Sequence, residues 1–239
     1  MISKQIEGAV SQLQSDFVFT YRELGFPAEM TPTVIRNLNR MVEKGIITKL
    51  SKGRYYKPRK TIFGQLKPSP EEIVKDLLTK DGKAIGYLTG YSVFNQLGLT
   101  TQISNIIEIG TNIRRNKKRR GSYEIRFILQ QNPIRPVDIP LLQWLDALKY
   151  IKSIPDSDVN ITFLRLSHLV KGLSEKSCER FKVLALAYTP MTRALAGVIL
   201  DGIFGADYTQ SLYDSLNPVT YYKVGIKSDN PLFKKWRIT

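Results

Sequence analysis

The amino-acid sequence predicts an α+β protein, with a small N-terminal domain followed by a mixed α/β domain that has a β-hairpin and a helical C-terminal half. Three patterns lead to this prediction. Short amphipathic helices alternate with short β-prone runs over residues 1–60. Two longer β-prone runs lie at 105–112 and 123–130. From Pro140 onward, apolar residues recur at the spacing of helices.

The chain is strongly basic. It has 239 residues, and 36 lysines and arginines against 21 acidic residues give a net charge of +15. Such a balance favours an anionic partner, with nucleic acid ahead of a membrane surface. No apolar run approaches the roughly 20 residues of a membrane span, so we expect no membrane partner. The single cysteine, Cys178, allows no internal disulfide, which fits a cytoplasmic protein.

The first residues predict a helix, a short strand and a second, brief helix. The apolar residues of the first helix share one side: Ile6, Val10 and Leu13. The apolar run 17–19 is typical of extended chain. Thr20 can cap a short helix over residues 21–24, and Gly25 can end it.

Residues 31–44 predict an amphipathic helix with well-marked ends. Thr31 suits the N-cap and Pro32 the first helical position, while Gly45 can end the helix in the left-handed conformation. Apolar residues share one side of this helix: Val34, Ile35, Leu38, Met41 and Val42. Polar residues share the other side: Thr33, Arg36, Asn37, Arg40 and Lys44.

A basic hairpin is predicted to follow this helix. β-prone runs at 46–50 and 54–57 flank a turn that contains Gly53, and Pro58 stops the second run. Residues 31–60, including Lys60, contain nine basic residues and one acidic residue, a net charge of +8. Helix, strand, short helix, longer helix and hairpin follow one another in the order of a winged helix-turn-helix, which we place at 1–60.

These residue types suit duplex DNA. A helix fits the major groove, where Arg36 and Arg40 can pair with guanine and Asn37 with adenine. Lysines can neutralise phosphates, which adds affinity without reading the base sequence. A basic helix face can also be a merely solvated face, but here the helix and the hairpin are basic together, so we prefer DNA. The predicted DNA-binding residues of this domain are Thr33, Arg36, Asn37, Arg40, Lys44, Lys49, Lys52, Arg54 and Lys57.

Residues 61–70 predict a linker, and residues 71–239 a second domain. A capping-box pattern at 69–72 starts a helix through about residue 79. Between the two longer β-prone runs lies a strongly basic segment that has two interpretations. It is either a second phosphate-contacting arm or a solvated hairpin loop. The residues that such an arm would bring to DNA are Arg114, Arg115, Lys117, Lys118, Arg119 and Arg120.

The helical half follows from apolar spacing and from proline positions. Helices are predicted at 141–150, 159–170, 174–188 and 190–204. The tail, 217–239, contains aromatic and basic residues without a pattern that assigns its structure.

Residues suited to catalysis are sparse. His168, the single histidine, lies in a predicted helix without a carboxylate nearby in sequence, so we expect a helix-surface or satisfied side chain. Cys178 fits a small core residue. With one histidine and one cysteine a typical zinc site is almost excluded, and we predict no catalytic residue, no metal ligand and no cofactor.

The alternative is a nucleic-acid-modifying enzyme, a metal-dependent nuclease or a nucleotidyltransferase-like protein, with a cryptic site in the second domain. Two dipeptides, Pro155-Asp156 and Gly121-Ser122, could begin motifs of such enzymes. Asp156 could begin a nuclease motif, but no Asp/Glu-x-Lys follows it. Gly121-Ser122 could begin a nucleotidyltransferase motif, but the expected Asp-x-Asp pair is missing, because Asp138 is followed by Ile139 and Pro140. We therefore prefer a protein that is not an enzyme.

Four segments together resemble AbiEi-type antitoxins, which belong to bacterial type IV toxin–antitoxin systems of abortive infection. The most distinctive is GYLTGYSVFNQLGLTTQISNIIEIGTN at 86–112. The others are LSKGRYYKP at 50–58, LLQWLDALKYIKSIPD at 141–156 and SLNPVTYYKVGI at 215–226. The resemblance runs in order along nearly the whole chain.

This resemblance implies a winged helix-turn-helix followed by an α/β antitoxin domain. It implies a transcriptional repressor that binds an inverted-repeat operator at its own promoter. It also implies counteraction of a nucleotidyltransferase-like toxin without a stable complex. Only the DNA-reading positions around 36–44 and 51–57 carry over. A twofold operator would allow a homodimer of this chain on DNA.

Overall fold

The computed structural model describes residues 2–62 and 64–239, with only the backbone described for Lys60. The chain forms two compact units. The first contains the described residues up to Leu77 together with Lys118–Glu124, and the second contains Leu78–Lys117 and Ile125–Thr239. Helices and strands mix along the chain, so the predicted α+β class is confirmed. Among the described residues, no helix combines the length and apolarity that crossing a bilayer requires.

The first unit combines helices with short strands. Its α-helices are α1 (Ile2–Gln12), α2 (Thr31–Glu43) and α3 (Pro70–Leu78), and 3₁₀ segments lie at Tyr21–Leu24 and Ala28–Met30. Its strands are β1 (Val18–Phe19), β2 (Thr48–Ser51), β3 (Arg54–Tyr56), β4 (Arg59–Thr61) and β5 (Gly64–Leu66). The element order that the sequence predicts for residues 1–58 is therefore present.

A three-stranded antiparallel sheet lies at the centre of the first unit. Its strand order is β1-β3-β2, and Val18 and Thr48 both pair with Tyr56 of the middle strand. Apolar side chains from α1, α2 and the sheet form one core: Ile6, Val10, Phe19, Val34, Leu38, Met41, Ile47 and Tyr55. The apolar faces predicted for both helices are therefore the buried faces.

Both predicted ends of the 3₁₀ segment Tyr21–Leu24 are present, whereas the predicted N-cap of α2 is wrong. The backbone N–H of Thr20 donates to the carboxylate of Glu23 at 2.6 Å, and Gly25 ends this 3₁₀ segment with φ +71°. Helix α2, however, begins at Thr31 itself and has no side-chain cap. The 3₁₀ segment Ala28–Met30 runs directly into α2, so Thr31 is already a helical residue and cannot cap it.

The predicted linker at 61–70 is partly structured. Strands β4 and β5 pair as an antiparallel hairpin, with Arg59 opposite Leu66. Phe63 lies outside the described residues. The side chain of Ser69 then accepts a hydrogen bond from the backbone N–H of Glu72 at 3.3 Å, as the predicted helix start requires.

Most of helix α3 belongs to the first unit, although the sequence predicts a second domain over 71–239 that would include it. The Glu72 carboxylate accepts a hydrogen bond from the backbone N–H of Val18 at 3.0 Å. The Lys75 ammonium lies 3.3 Å from the centre of the Phe17 ring. These contacts join α3 to the strand that follows α1, so the boundary predicted after residue 60 falls too early.

After α3 the chain forms a small hairpin and a four-stranded sheet. The strands are β6 (Thr79–Lys80), β7 (Lys83–Ala84), β8 (Tyr87–Thr89), β9 (Ile106–Thr111), β10 (Lys118–Arg120) and β11 (Tyr123–Leu129), and helix α4 (Tyr91–Gln96) follows β8. The order β10-β11-β9-β8 makes β9 and β11 neighbours, as the sequence predicts. The basic segment between them is not entirely a loop, because its end forms β10.

The C-terminal half is helical, as predicted. Its helices are α5 (Ile139–Lys149), α6 (Val159–Lys171), α7 (Glu175–Ala185), α8 (Pro190–Phe204), α9 (Ala206–Asp214) and α10 (Pro231–Lys235), preceded by a 3₁₀ segment at Pro136–Asp138. Neither α9 nor α10 is predicted from the sequence. Trp236, just after α10, is fully buried, and its indole N–H donates to Asp201 at 2.8 Å. The tail is thus held by contacts with α8 rather than by a local pattern.

A buried polar network connects the sheet of the second unit to its helices. The carboxylate of Asp146 accepts hydrogen bonds from Tyr87 and Thr89, each at 2.7 Å, and from Tyr188 at 2.9 Å. The amide of Gln130 donates to the hydroxyl oxygens of Tyr87 and Tyr188 at 2.8 and 2.9 Å. Burial raises the pKa of Asp146 above its ordinary value, and the three hydroxyl donors oppose that rise. Such donors are needed, because an unpartnered buried carboxyl group is strongly destabilising.

We expect the Tyr188→Phe variant to be less stable than the wild type by about 1–3 kcal/mol, because Gln130 and Asp146 each lose a buried partner. Urea unfolding followed by circular dichroism measures the change. The matched control is Tyr221→Phe, at a residue that is 64% exposed, and it should stay within about 0.5 kcal/mol of the wild type. If both variants were as stable as the wild type, the hydrogen bonds of the Tyr188 hydroxyl would add nothing to the stability of the fold.

Candidate nucleic-acid interface

Helix α2 presents a basic face to solvent. Its exposed cations are Arg36 and Arg40, the exposed Lys44 follows its last residue, and Thr33, half-buried, precedes them. These residues recur every three or four positions, which places them on one face of the helix. Gly45 follows with φ +67°, so the helix ends in the left-handed conformation that the sequence predicts. Within the part of the chain that the structure describes, none of the three cations forms an ion pair, so their donors face water.

Asn37 does not share this exposed face. Its side chain is buried, where its oxygen accepts a hydrogen bond from the hydroxyl of Ser3 at 2.9 Å. Its amide group donates to the backbone carbonyl of Thr33 at 2.9 Å. The side chain therefore joins α2 to α1 and is not available to pair with a base. The helical projection could not reveal this, because it does not say where α1 packs.

The β2–β3 hairpin carries a second set of cations. Lys49 and Lys52 are exposed, and Gly53 completes the turn with φ +73°. Lys57 has a different role, since its ammonium donates to the carbonyls of Ser11 and Leu13 at 2.9 and 3.1 Å. Carbonyls at the end of a helix lack intrahelical partners, and a cation there is favourable. Lys57 thus fastens the end of α1 to the hairpin.

Arg54 and Arg120 are both held by Asp76 on α3. The guanidinium of Arg120 bonds both oxygens of this carboxylate, at 2.5 and 2.8 Å, and the carbonyl of Ile73 at 2.6 Å. Arg54 bonds the same carboxylate at 2.7 Å. The side chain of Arg120 is only 6% exposed, so this arginine cannot meet a phosphate. We define Arg54, Asp76 and Arg120 as the arginine clamp.

The basic segment 114–120 is therefore divided by the fold. Arg114, Lys117, Lys118 and Arg119 are exposed, whereas Arg120 is buried in the clamp. Arg115 lies over the ring of Phe127, with 5.6 Å between its guanidinium carbon and the ring centre. Lys118 and Arg119 belong to the first unit, and the three residues Arg114, Arg115 and Lys117 belong to the second. The segment is neither one continuous arm nor one free loop.

Asp76 belongs to this candidate interface, although no pattern in the sequence predicts it. Burial alone would raise the pKa of its carboxyl group, but the hydrogen bonds and charges of Arg120 and Arg54 outweigh burial and hold that pKa below its ordinary value. Nothing in the local sequence distinguishes Asp76 from an exposed acid on a helix. Its partners lie 22 and 44 residues away, so only the folded chain reveals them.

The single histidine and the single cysteine both belong to the second unit. His168 is exposed on α6 and Cys178 is buried in the core, as the sequence analysis expects. Within residues 2–62 and 64–239, no three histidine, cysteine or acidic side chains converge in a way that could hold a metal ion.

The geometry defines an α+β protein whose first unit exposes cations on one helix and the adjoining hairpin. Residues 11–132 match the model of a family of unknown function (DUF6088), and because this is just over half of the chain, the protein belongs to that family. The fold is similar to the crystal structure of the RV2827C protein from Mycobacterium tuberculosis, with a TM-score of 0.63 over 99% of this chain and 89% of that chain. Sequence identity is 14%, so this likeness concerns the fold alone. No curated protein matches the chain.

We expect Asp76→Asn to destabilise the protein by about 1–3 kcal/mol at pH 7, because Arg120 is left buried without its anionic partner. The folded-state pKa of Asp76 is lowered. The carboxylate's contribution is therefore fully present above its unfolded-state pKa, about 4, and is lost as the pH falls through the lower folded-state value.

Urea unfolding from pH 7 to pH 3 measures this difference. The gap between wild type and Asp76→Asn should stay constant down to about pH 5 and narrow below about pH 4. Glu7→Gln, at an exposed acid on α1, is the control in the same unit and should show no such gap. A gap that is independent of pH would mean that the charge of Asp76 does not hold the clamp.

Proposed function

We propose that the first unit is a winged helix-turn-helix and that this protein is a DNA-binding transcriptional repressor. The observation that carries the proposal is the exposed, unpaired basic face of α2 beside the basic β2–β3 hairpin. The order α1, β1, α2, β2, β3 and the sheet order β1-β3-β2 support it, because a winged helix-turn-helix has this arrangement.

Each element then has its own role on duplex DNA. Helix α2 enters the major groove, where Arg36 and Arg40 can each donate two hydrogen bonds to a guanine. Lys44 and the hairpin lysines Lys49 and Lys52 meet phosphates, which sets affinity and orientation but not base sequence. The buried Asn37 takes no part in this proposal.

The role of the repressor follows from the resemblance of 86–112 and the other segments to AbiEi-type antitoxins. In our proposal the protein is the cytoplasmic antitoxin of a bacterial type IV toxin–antitoxin system. It represses its own operon through the first unit and counteracts a nucleotidyltransferase-like toxin without forming a stable complex. A homodimer on an inverted-repeat operator would match the twofold symmetry of such a site.

The first experiment is a fluorescence anisotropy titration with the DNA upstream of the protein's own gene, using scrambled DNA as competitor and several salt concentrations. The proposal expects tight, sequence-selective binding that weakens steeply with salt and needs no metal. Weak binding to both DNAs would refute the repressor. Cleavage or modification of nucleic acid with Mg²⁺, abolished by a carboxylate substitution, would favour the enzyme alternative.

The antitoxin role has a separate test in cells. Expression of this protein should restore growth to cells that express the nucleotidyltransferase-like protein of its operon. The variant with both Arg36→Ala and Arg40→Ala should still restore growth while failing to repress the promoter. Failure of the wild type to restore growth would refute the antitoxin role and leave the repressor standing.

We expect Arg36→Ala or Arg40→Ala to weaken specific operator binding by about 1–3 kcal/mol, because each removes a base contact. Binding to scrambled DNA should change less, so the ratio of the two affinities should fall. Lys4→Ala, which removes one exposed cation from α1, is the control and should keep that ratio. Unchanged operator affinity in both arginine variants would refute the placement of α2 in the groove.

We expect Lys52→Ala to act differently from the arginine variants. A phosphate contact carries no sequence information, so binding to operator and scrambled DNA should weaken by the same factor. The slope of log affinity against log salt should become shallower by about 0.9. A change in the affinity ratio instead would mean that the hairpin reads bases.

A further inference from the structure

The tip of the β10–β11 hairpin, residues 118–124, packs against the β2–β3 hairpin, which is the wing of the proposed winged helix-turn-helix. At Gly121 a Cβ atom would lie 2.7 Å from the backbone carbonyl oxygen of Leu50, in the middle of β2. Gly121 also has φ +57°, so glycine suits this position for two reasons. The Lys67 ammonium lies 5.7 Å from the centre of the Tyr123 ring. The tip is thus a built part of the first unit rather than a free loop.

The arginine clamp holds the same tip at Arg120. Arg120 bonds the Asp76 carboxylate through two parallel hydrogen bonds, an arrangement that sets orientation as well as distance. Asp76 also bonds Arg54, which lies on the wing strand β3. One carboxylate on α3 therefore holds both the wing and the tip.

This packing decides where two exposed cations lie. Lys118 and Arg119 are two residues and one residue before Arg120, so no more than roughly 7 Å of chain separates them from the clamp. On the wing, Lys49 and Lys52 are one and two residues from Leu50, whose carbonyl oxygen the tip approaches. The screening length at 0.1 M salt is about 10 Å, and cations that lie within this length of one another reinforce each other's attraction for an anion.

We propose that Lys118 and Arg119 form a second phosphate contact beside the wing, with Arg120 and Asp76 as the positioning residues that hold it there. The ligand is the sugar-phosphate backbone of duplex DNA. This inference rests on the proposed function and deepens it, because it extends the DNA surface from residues 33–52 to a segment far along the chain.

The test compares two double variants that remove the same charge. One is Lys118→Ala with Arg119→Ala. The other is Lys171→Ala with Lys227→Ala, at exposed lysines of the second unit that serve as the control. Anisotropy titrations with operator and scrambled DNA are run at several salt concentrations. In the Lys118→Ala/Arg119→Ala variant, the loss of two phosphate contacts should make the salt slope shallower by about 1.8. Binding to both DNAs should weaken by the same factor.

Arg120→Lys tests the positioning role. It keeps the positive charge but cannot form the two parallel hydrogen bonds to Asp76. We expect the salt slope of Arg120→Lys to become as shallow as that of the tip variant, Lys118→Ala with Arg119→Ala. Arg120 itself does not contact DNA in this proposal. Circular dichroism and thermal unfolding establish that each variant is folded. A normal slope in a folded Arg120→Lys variant would overturn the positioning role.

The remaining outcomes separate this inference from the proposed function. If the wild type fails to bind DNA in a salt-dependent way, the proposed function itself is overturned. If the wild type binds and the tip variant keeps the full slope, only the second phosphate contact is overturned. If the control pair lowers the slope as much as the tip pair, the positive charge acts diffusely and the inference is likewise overturned.

Discussion

The carboxylate of Asp76 joins parts of the chain that are far apart in sequence. It accepts hydrogen bonds from Arg54, 22 residues before it, and from Arg120, 44 residues after it. A buried guanidinium is stable only when it is paired, and Asp76 and the carbonyl of Ile73 together accept three hydrogen bonds from Arg120. Strand β3, helix α3 and the β10–β11 tip therefore meet at one ionised group, on which the shape of the basic hairpin depends.

The cations of the first unit divide according to the partners that hold them. Arg54, Lys57 and Arg120 donate to a carboxylate or to backbone carbonyls, and these bonds fix strands and helix ends. The cations of α2 and of the hairpin turn face water. The side chain of Arg120 is buried and cannot reach a phosphate, whereas Arg54 and Lys57 each have donors committed to the fold. The proposed function therefore depends on the second group. Residue type alone does not separate the two groups.

The second unit depends on a different kind of constraint. There the Asp146 carboxyl group accepts bonds from three hydroxyls, and Gln130 completes the network. Because every partner must be present, such a network favours one packing of sheet and helices over others. The first unit thus uses a half-exposed ion pair to arrange a surface, whereas the second uses a largely buried polar cluster to fix its interior.

The sequence by itself determined the features that depend on neighbours within a few residues. These are the two faces of α2, the left-handed glycine after it, the hairpin, strands β9 and β11, and the helices from α5 to α8. Spacing and turn chemistry encode all of them locally. Tertiary structure alone decided that Asn37 is buried, that Arg54 and Arg120 belong to a clamp, and that α3 joins the first unit. Each of these depends on a partner 22 or more residues away, and no local period records such a contact.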